Sequence, residues 1–228
     1  MSSGSRRNFT LTQNLVGGQF GSARIPTEYL DETDLTLSSL DIFDHARPLG
    51  LSPGYSIKGH LVILAITDDQ NCRLITFRKT RSESGGRAIL EDKILCRAAG
   101  ELFAFDMGPL TMSLYSELGL RVTNAVDIQS GFPGTSRKPL TSIRKLVGDS
   151  APIMPDNVET VFREPVFDIS NRQHPYELAA RAWAAYFTAT FENGREILDQ
   201  VPRINTKDMS DVVMCFSHLY VRRSWSSQ

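Results

Sequence analysis

The segment Glu101–Ser130 predicts a strand, a helix and a second strand. Leu102–Phe105 is a short, mostly apolar run, and leucines then recur at every fourth position from Leu110 to Leu118, which indicates one apolar helical stripe. Gly119 is placed to end this helix. An extended apolar pattern follows from Leu120 to Asp127. Strand, helix and strand in succession are typical of an α/β sheet.

Other segments extend this α/β pattern. Leu61–Thr67 is a continuous apolar run, which suits a central strand buried on both faces, and Cys72–Phe77 reads as the returning strand. Leu35–Phe43 also has strand character, whereas the glycines and proline of Gly50–His60 predict a turn or loop. Tyr176–Phe191 gives the clearest helical stripe in the chain.

Shorter helices are predicted at 88–98, at 141–147 with Thr141 as N-cap, and at 208–220, and Asn193-Gly194 is expected to end the long helix. Residues 1–24 are polar and are expected to form a flexible arm with one docking strand near Phe9–Leu11. These patterns predict three parts of the chain, which are a flexible arm at 1–24, one α/β domain at 25–221 and a tail at 222–228.

Composition narrows the class of protein. The 228 residues suffice for one domain with a sizeable core, and the formal net charge of −1 argues against coating nucleic acid through bulk charge. Three cysteines lie far apart with no CxxC pair, so we expect a reducing compartment and small buried thiols. The chain shows neither a signal-peptide apolar region nor an apolar run long enough to span a membrane, which predicts a cytoplasmic or nuclear protein.

The residues LYSELGLRVTNAVDIQ, from Leu114 to Gln129, resemble the second conserved block of 3′–5′ exonuclease domains in the RNase H-like (DEDD) superfamily. The apolar hairpin at 61–77 and the alanine-rich YELAARAWAAYF at 176–187 resemble the preceding strands and the last catalytic helix of that family. The resemblance covers roughly residues 35–191. It implies a mixed central sheet flanked by helices, in a single RNase H-like domain.

The resemblance also implies where metal ligands would lie. In the family the first strand ends in Asp-x-Glu, and the best match here is Asp41 followed by Phe43. The Asp of the second block falls at Leu110, and the Asp of the last helix falls at Ala182. Since two-metal cleavage needs several converging carboxylates, the chain is expected to be a pseudo-exonuclease that holds neither a metal nor another cofactor.

An active nuclease with rearranged ligands is the alternative for this site. It would require Asp44, Asp106 or Asp127 to converge with Asp41. Other chemistries lack support, because the four histidines show no metal-ligand spacing and the GxSxG and GKT/GKS motifs are absent.

Basic residues in two loops are candidates for contacts with RNA phosphates, and a C-terminal tryptophan is a candidate anchor for a protein partner. These residues are Arg78, Lys79, Arg81, Arg87, Arg137, Lys138 and, for the partner, Trp225.

Inactive relatives such as the Egalitarian-like and Exuperantia-like proteins are adaptors in RNA transport or small-RNA pathways. The resemblance therefore implies an RNA-binding or adaptor subunit of an RNA-processing or silencing complex, with protein subunits and single-stranded RNA as partners and no membrane. The near-neutral charge favours a second hypothesis, a protein-interaction scaffold without RNA binding. The third hypothesis is the active exonuclease.

Overall fold

The computed structural model describes residues 8–20, 23–78, 85–132, 138–163 and 166–209. Its centre is a seven-stranded sheet in the order β1-β2-β5-β4-β3-β6-β7. The strands are β1 Phe9–Thr12, β2 Arg24–Asp31, β3 Leu49–Tyr55, β4 Leu61–Thr67, β5 Cys72–Thr76, β6 Leu102–Ala104 and β7 Ala125–Asp127.

Strand directions make the sheet mixed. β3, β4 and β5 form an antiparallel meander. On one side of it, β6 runs parallel to β3 and β7 runs parallel to β6. On the other side, β2 runs parallel to β5 and β1 closes the edge antiparallel to β2. The predicted α/β class with a mixed central sheet in one domain is confirmed, and the strand order is consistent with an RNase H-like fold.

Helices cover both faces of the sheet. They are α1 Leu37–Leu40, α2 Gly85–Leu90, α3 Met107–Leu118, α4 Pro139–Val147, α5 Pro155–Val161, α6 Gln173–Thr190 and α7 Glu192–Leu198. Apolar residues of α1, α2 and α3 share one core with one face of the sheet, and apolar residues of α4 to α7 share a second core with the other face. A π-helical turn, Glu91–Leu95, continues α2.

β4 shows why an unbroken apolar run marks the centre of such a sheet. Ile63 and Ala65 lie in the core on the α6 side, whereas Leu64 and Ile66 lie in the core on the α3 side. Successive side chains alternate between faces, so a strand covered on both faces must be apolar at every position.

On the neighbouring strand, Cys72 is fully buried, and burial raises the pKa of its thiol to about 12.

The predicted strand at Leu35–Phe43 is wrong. Thr36 and Ser39 form a reciprocal capping box that begins α1, and the chain turns back on itself there. A capping box satisfies two free N–H groups at once, so it favours a helix start over an extended chain.

The first strand of the meander is instead β3, in the segment predicted as a loop. Its glycines read as turn signals, but Gly50 and Gly54 lie within the strand because neighbouring segments approach the backbone too closely for a side chain. A Cβ at Gly50 would overlap the carbonyl oxygen of Ala182 and would lie 2.6 Å from the amide nitrogen of Tyr186.

The docking strand expected in the N-terminal arm is present as β1. In the described part of the arm, Leu15 and Val16 are buried in the core on the α6 side. Two boundaries also differ from expectation. α4 begins at Pro139 after Lys138, because proline suits a first helical turn. Gly194 lies inside α7, where its lack of a side chain lets α7 approach the backbone of Thr188.

Within the described ranges, no helix combines the length and the apolar character that a membrane crossing requires.

Candidate functional site

The sheet has one topological switch point, between β3 and β6. From β3 the chain continues outward through β4 and β5 on one side, and later fills the other side with β6 and β7. In open α/β sheets, ligands bind in the crevice at the carboxyl ends of the strands where the order reverses. β3 pairs with β6 only at Leu49 and Gly50, so the rest of β3 runs on beyond this pairing and borders the crevice.

A segment between α5 and α6, residues 166–172, starts beside the carboxyl end of β3, and we call it the strap. Val166 forms a parallel bridge with Tyr55, and the Phe167 N–H donates a hydrogen bond of 2.7 Å to the Tyr55 carbonyl oxygen. A Cβ at Gly54 would lie 3.0 Å from Cβ of Phe167 and would overlap the Ile63 side chain. The strap therefore occupies the place beside β3 that a larger side chain at 54 would need.

Small residues line the face of β3 that α6 covers. Gly50 contacts the α6 backbone, and by strand alternation Ser52 and Gly54 point to the same side. The α6 residues in that core include Ala179, Ala182 and Ala185, and short side chains on both elements explain how closely helix and strand approach.

The structure places neither Asp41 nor Phe43 on a strand, so the Asp-x-Glu match that the resemblance implies here does not lie at the end of a first strand. Asp41 is the C-cap residue of α1, where it is exposed and its carboxylate lies 3.6 Å from the Lys93 ammonium. Phe43 is 1% exposed and belongs to the core on the α3 side.

With β3 as the first strand, two positions share the α6-facing side near its carboxyl end, Ser52 and Gly54. Sequence reasoning missed them because Gly50–His60 was predicted to be a loop. One signal was available: small residues at 50, 52 and 54 alternate with larger ones, and a period of two is the period of a strand.

Leu110 and Ala182, the other two positions implied by the resemblance, are both fully buried. Leu110 packs in the core on the α3 side and Ala182 packs in the core on the α6 side. The structure therefore does not bring these two side chains into one cluster.

The carboxylates considered as substitute ligands lie in an exposed turn, at the end of β7 and at the start of α3. Asp44 accepts a hydrogen bond of 2.9 Å from the Ala46 N–H in an exposed turn. Asp127 is buried at the end of β7 and accepts one of 2.9 Å from the Gln129 N–H. Asp106 is the N-cap residue of α3. Among the described residues, no three or more His, Cys, Asp and Glu side chains are grouped closely enough to hold a metal ion.

The α3 side of the crevice is polar. Tyr55 points to this side, and its hydroxyl is buried without a hydrogen-bond partner among the described residues. Burial raises the pKa of this hydroxyl, and the negative charges of Asp106 and Glu117 add to the rise. One carboxylate oxygen of Glu117 accepts a hydrogen bond of 3.2 Å from the Leu61 N–H. The Glu117 contact joins α3 to the β3–β4 hairpin.

Of the predicted phosphate-binding residues, Arg87 is placed differently from expectation. Its side chain is only 8% exposed and its Nε lies 2.5 Å from the buried Glu32 carboxylate, so it is not in a surface loop. Arg78 is exposed and pairs with Asp31 at 3.2 Å, and Lys138 is exposed before α4. The other candidates, Lys79, Arg81, Arg137 and Trp225, lie outside the described residues, as does most of the helix predicted at 208–220.

Comparison of the fold with solved structures finds similarity to the crystal structure of Trypanosoma brucei RNase D, with a TM-score of 0.47 and 16% sequence identity. The match covers 72% of this chain and 64% of that chain, so this chain spans less than two thirds of the length of that RNase D. No protein-family model and no curated protein matches the sequence.

Proposed function

We propose that this chain is a catalytically inactive, 3′–5′ exonuclease-like domain that acts as an RNA-binding or adaptor subunit of an RNA-processing or silencing complex. The order of the sequence blocks and the order of the strands both support an exonuclease-like scaffold.

The observation that carries the proposal is the packing at the carboxyl end of β3. Gly54 lies against Phe167 and Ile63, and Ser52 beside it is 4% exposed. Cleavage by two metal ions needs carboxylates that converge on the cations in an accessible site. Ser52 and Gly54 support an inactive site, because neither residue can supply a carboxylate to a metal ion at this end of β3.

A protein-interaction scaffold without RNA binding is the second candidate. Ile57 in the β3–β4 hairpin is 87% exposed, and Ile169 in the strap is 49% exposed. Residues 55 and 166 are bridged, so the hairpin and the strap lie side by side. Two exposed isoleucines on neighbouring segments favour contact with another protein.

Titration of a fluorescently labelled single-stranded RNA separates the two candidates. We expect binding at low ionic strength that weakens as salt is added. In a plot of the logarithm of the binding constant against the logarithm of the salt concentration, each phosphate contact contributes a slope of about 0.7 in magnitude. The same RNA annealed to its complement is the matched control for strand preference.

Failure to bind single-stranded RNA at low ionic strength would remove the RNA-binding role and leave the scaffold. Binding that does not change with salt would exclude phosphate contacts as its source, because counterion release accompanies such contacts.

A further inference from the structure

One outward surface of the molecule carries cations without carboxylate partners. α4 contains no Asp or Glu among its nine residues, and Lys138 precedes it. Lys138, Arg144 and Lys145 are all exposed, and none of them forms an ion pair in the part of the chain that the structure describes. In a chain of net charge −1, this is a local excess of positive charge.

Helical geometry places these cations on one side of α4. The buried residues Ser142, Ile143, Leu146 and Val147 define the inner face. At about 100° per residue, Lys138 and Lys145 differ by roughly 20° around the axis, and Arg144 lies on the same outward half of the helix. Thr141 lies between them, so the outward face is polar and basic.

An aromatic ring positions one of these cations. The Lys145 ammonium lies 5.2 Å from the centroid of the Phe132 ring, within the range of a cation–π interaction. Phe132 is partly buried against the core on the α6 side, so the ring is anchored. A lysine held in this way loses less conformational freedom when it binds an anion.

We propose that Lys138, Arg144 and Lys145, with Phe132 as the positioning residue, form the surface that contacts the phosphate backbone of single-stranded RNA. This inference rests on the proposed RNA-binding function and gives it a location outside the crevice. Arg144 supplies a planar fork that matches phosphate oxygens, and the two lysines supply point charges. Contacts of this kind bind without reading sequence.

The test is the RNA titration repeated with R144Q and K145Q combined in the full chain. We expect weaker binding for all RNA sequences and a log–log salt slope that is smaller by about 1.4, since each lost contact to a single strand removes about 0.7. The matched control combines K58Q with R121Q, which removes the same charge from two exposed sites elsewhere. The control is expected to keep the slope of the unmodified protein.

Several results would overturn the inference. If the α4 variant and the control lose the same slope, the effect is one of net charge and the α4 surface has no special role. If RNA binds and the α4 variant changes only the melting temperature, Arg144 and Lys145 act on the helix dipole alone. If polyglutamate of matched charge competes as well as RNA, the surface fits an acidic protein instead. If the unmodified protein binds no RNA, the proposed RNA-binding role itself fails.

Discussion

Replacing Gly50 with alanine is expected to destabilise the protein by about 3 kcal/mol or more. The new Cβ would overlap the Ala182 carbonyl oxygen and lie 2.6 Å from the Tyr186 amide nitrogen. Both atoms belong to the backbone of α6, which cannot move aside as a flexible side chain can. The helix must therefore shift away from β3, and the packing of both elements in the α6-side core is lost.

Urea unfolding followed by circular dichroism measures this effect. The matched control is G108A, because Gly108 lies in α3 and a Cβ there meets no atom within 4 Å. Alanine inside a helix is favoured over glycine by roughly 0.5–1 kcal/mol, so the control is expected to be neutral or slightly stabilising. Equal free energies of unfolding for G50A and G108A would contradict the close contact between β3 and α6.

Replacing Glu32 with glutamine is expected to cost about 3–5 kcal/mol, the usual loss when one partner of a buried ion pair is removed. The Glu32 side chain is 2% exposed, and its carboxylate lies 2.5 Å from Nε of Arg87. It also accepts a hydrogen bond of 2.7 Å from the Arg78 N–H. The variant would leave the Arg87 charge buried without its counterion and loosen α2 from the end of β2.

The control for Glu32 is D69N, which breaks the exposed pair with Arg47, where the two side chains are 45% and 53% exposed. Exposed pairs contribute about 0–1 kcal/mol, so D69N is expected to unfold at nearly the urea concentration of the unmodified protein. If E32Q is as stable as D69N, then the Glu32–Arg87 pair does not fasten α2 to the sheet.

The sequence predicts those strands and helices whose buried positions recur at a regular spacing of apolar residues. β4 is apolar throughout because helices cover both of its faces, and α3 shows leucines at helical spacing because one side packs on the sheet. Gly119 was expected to end α3, and its φ of 72° is the left-handed conformation that glycine favours.

β3 could not be predicted in this way, because its sequence reflects contacts with segments far away in the chain. Position 50 requires glycine because α6 lies against it. Position 54 requires glycine because Phe167 lies against it. From the sequence alone, both look like turn residues. Because this segment predicts a loop, the resemblance places its Asp-x-Glu match at Asp41, outside the sheet, and leaves the β3 residues Ser52 and Gly54 out of the candidate site.

The central claim is that this exonuclease-like domain has no catalytic activity and still binds RNA. Incubation of a 3′-labelled single-stranded RNA with the protein and manganese, with binding followed in the same tubes, tests this claim most directly. The account predicts RNA of unchanged length in a complex with the protein. Shortening from the 3′ end that requires manganese and is abolished by a carboxylate-to-amide change such as D106N would contradict it and make the chain an active nuclease.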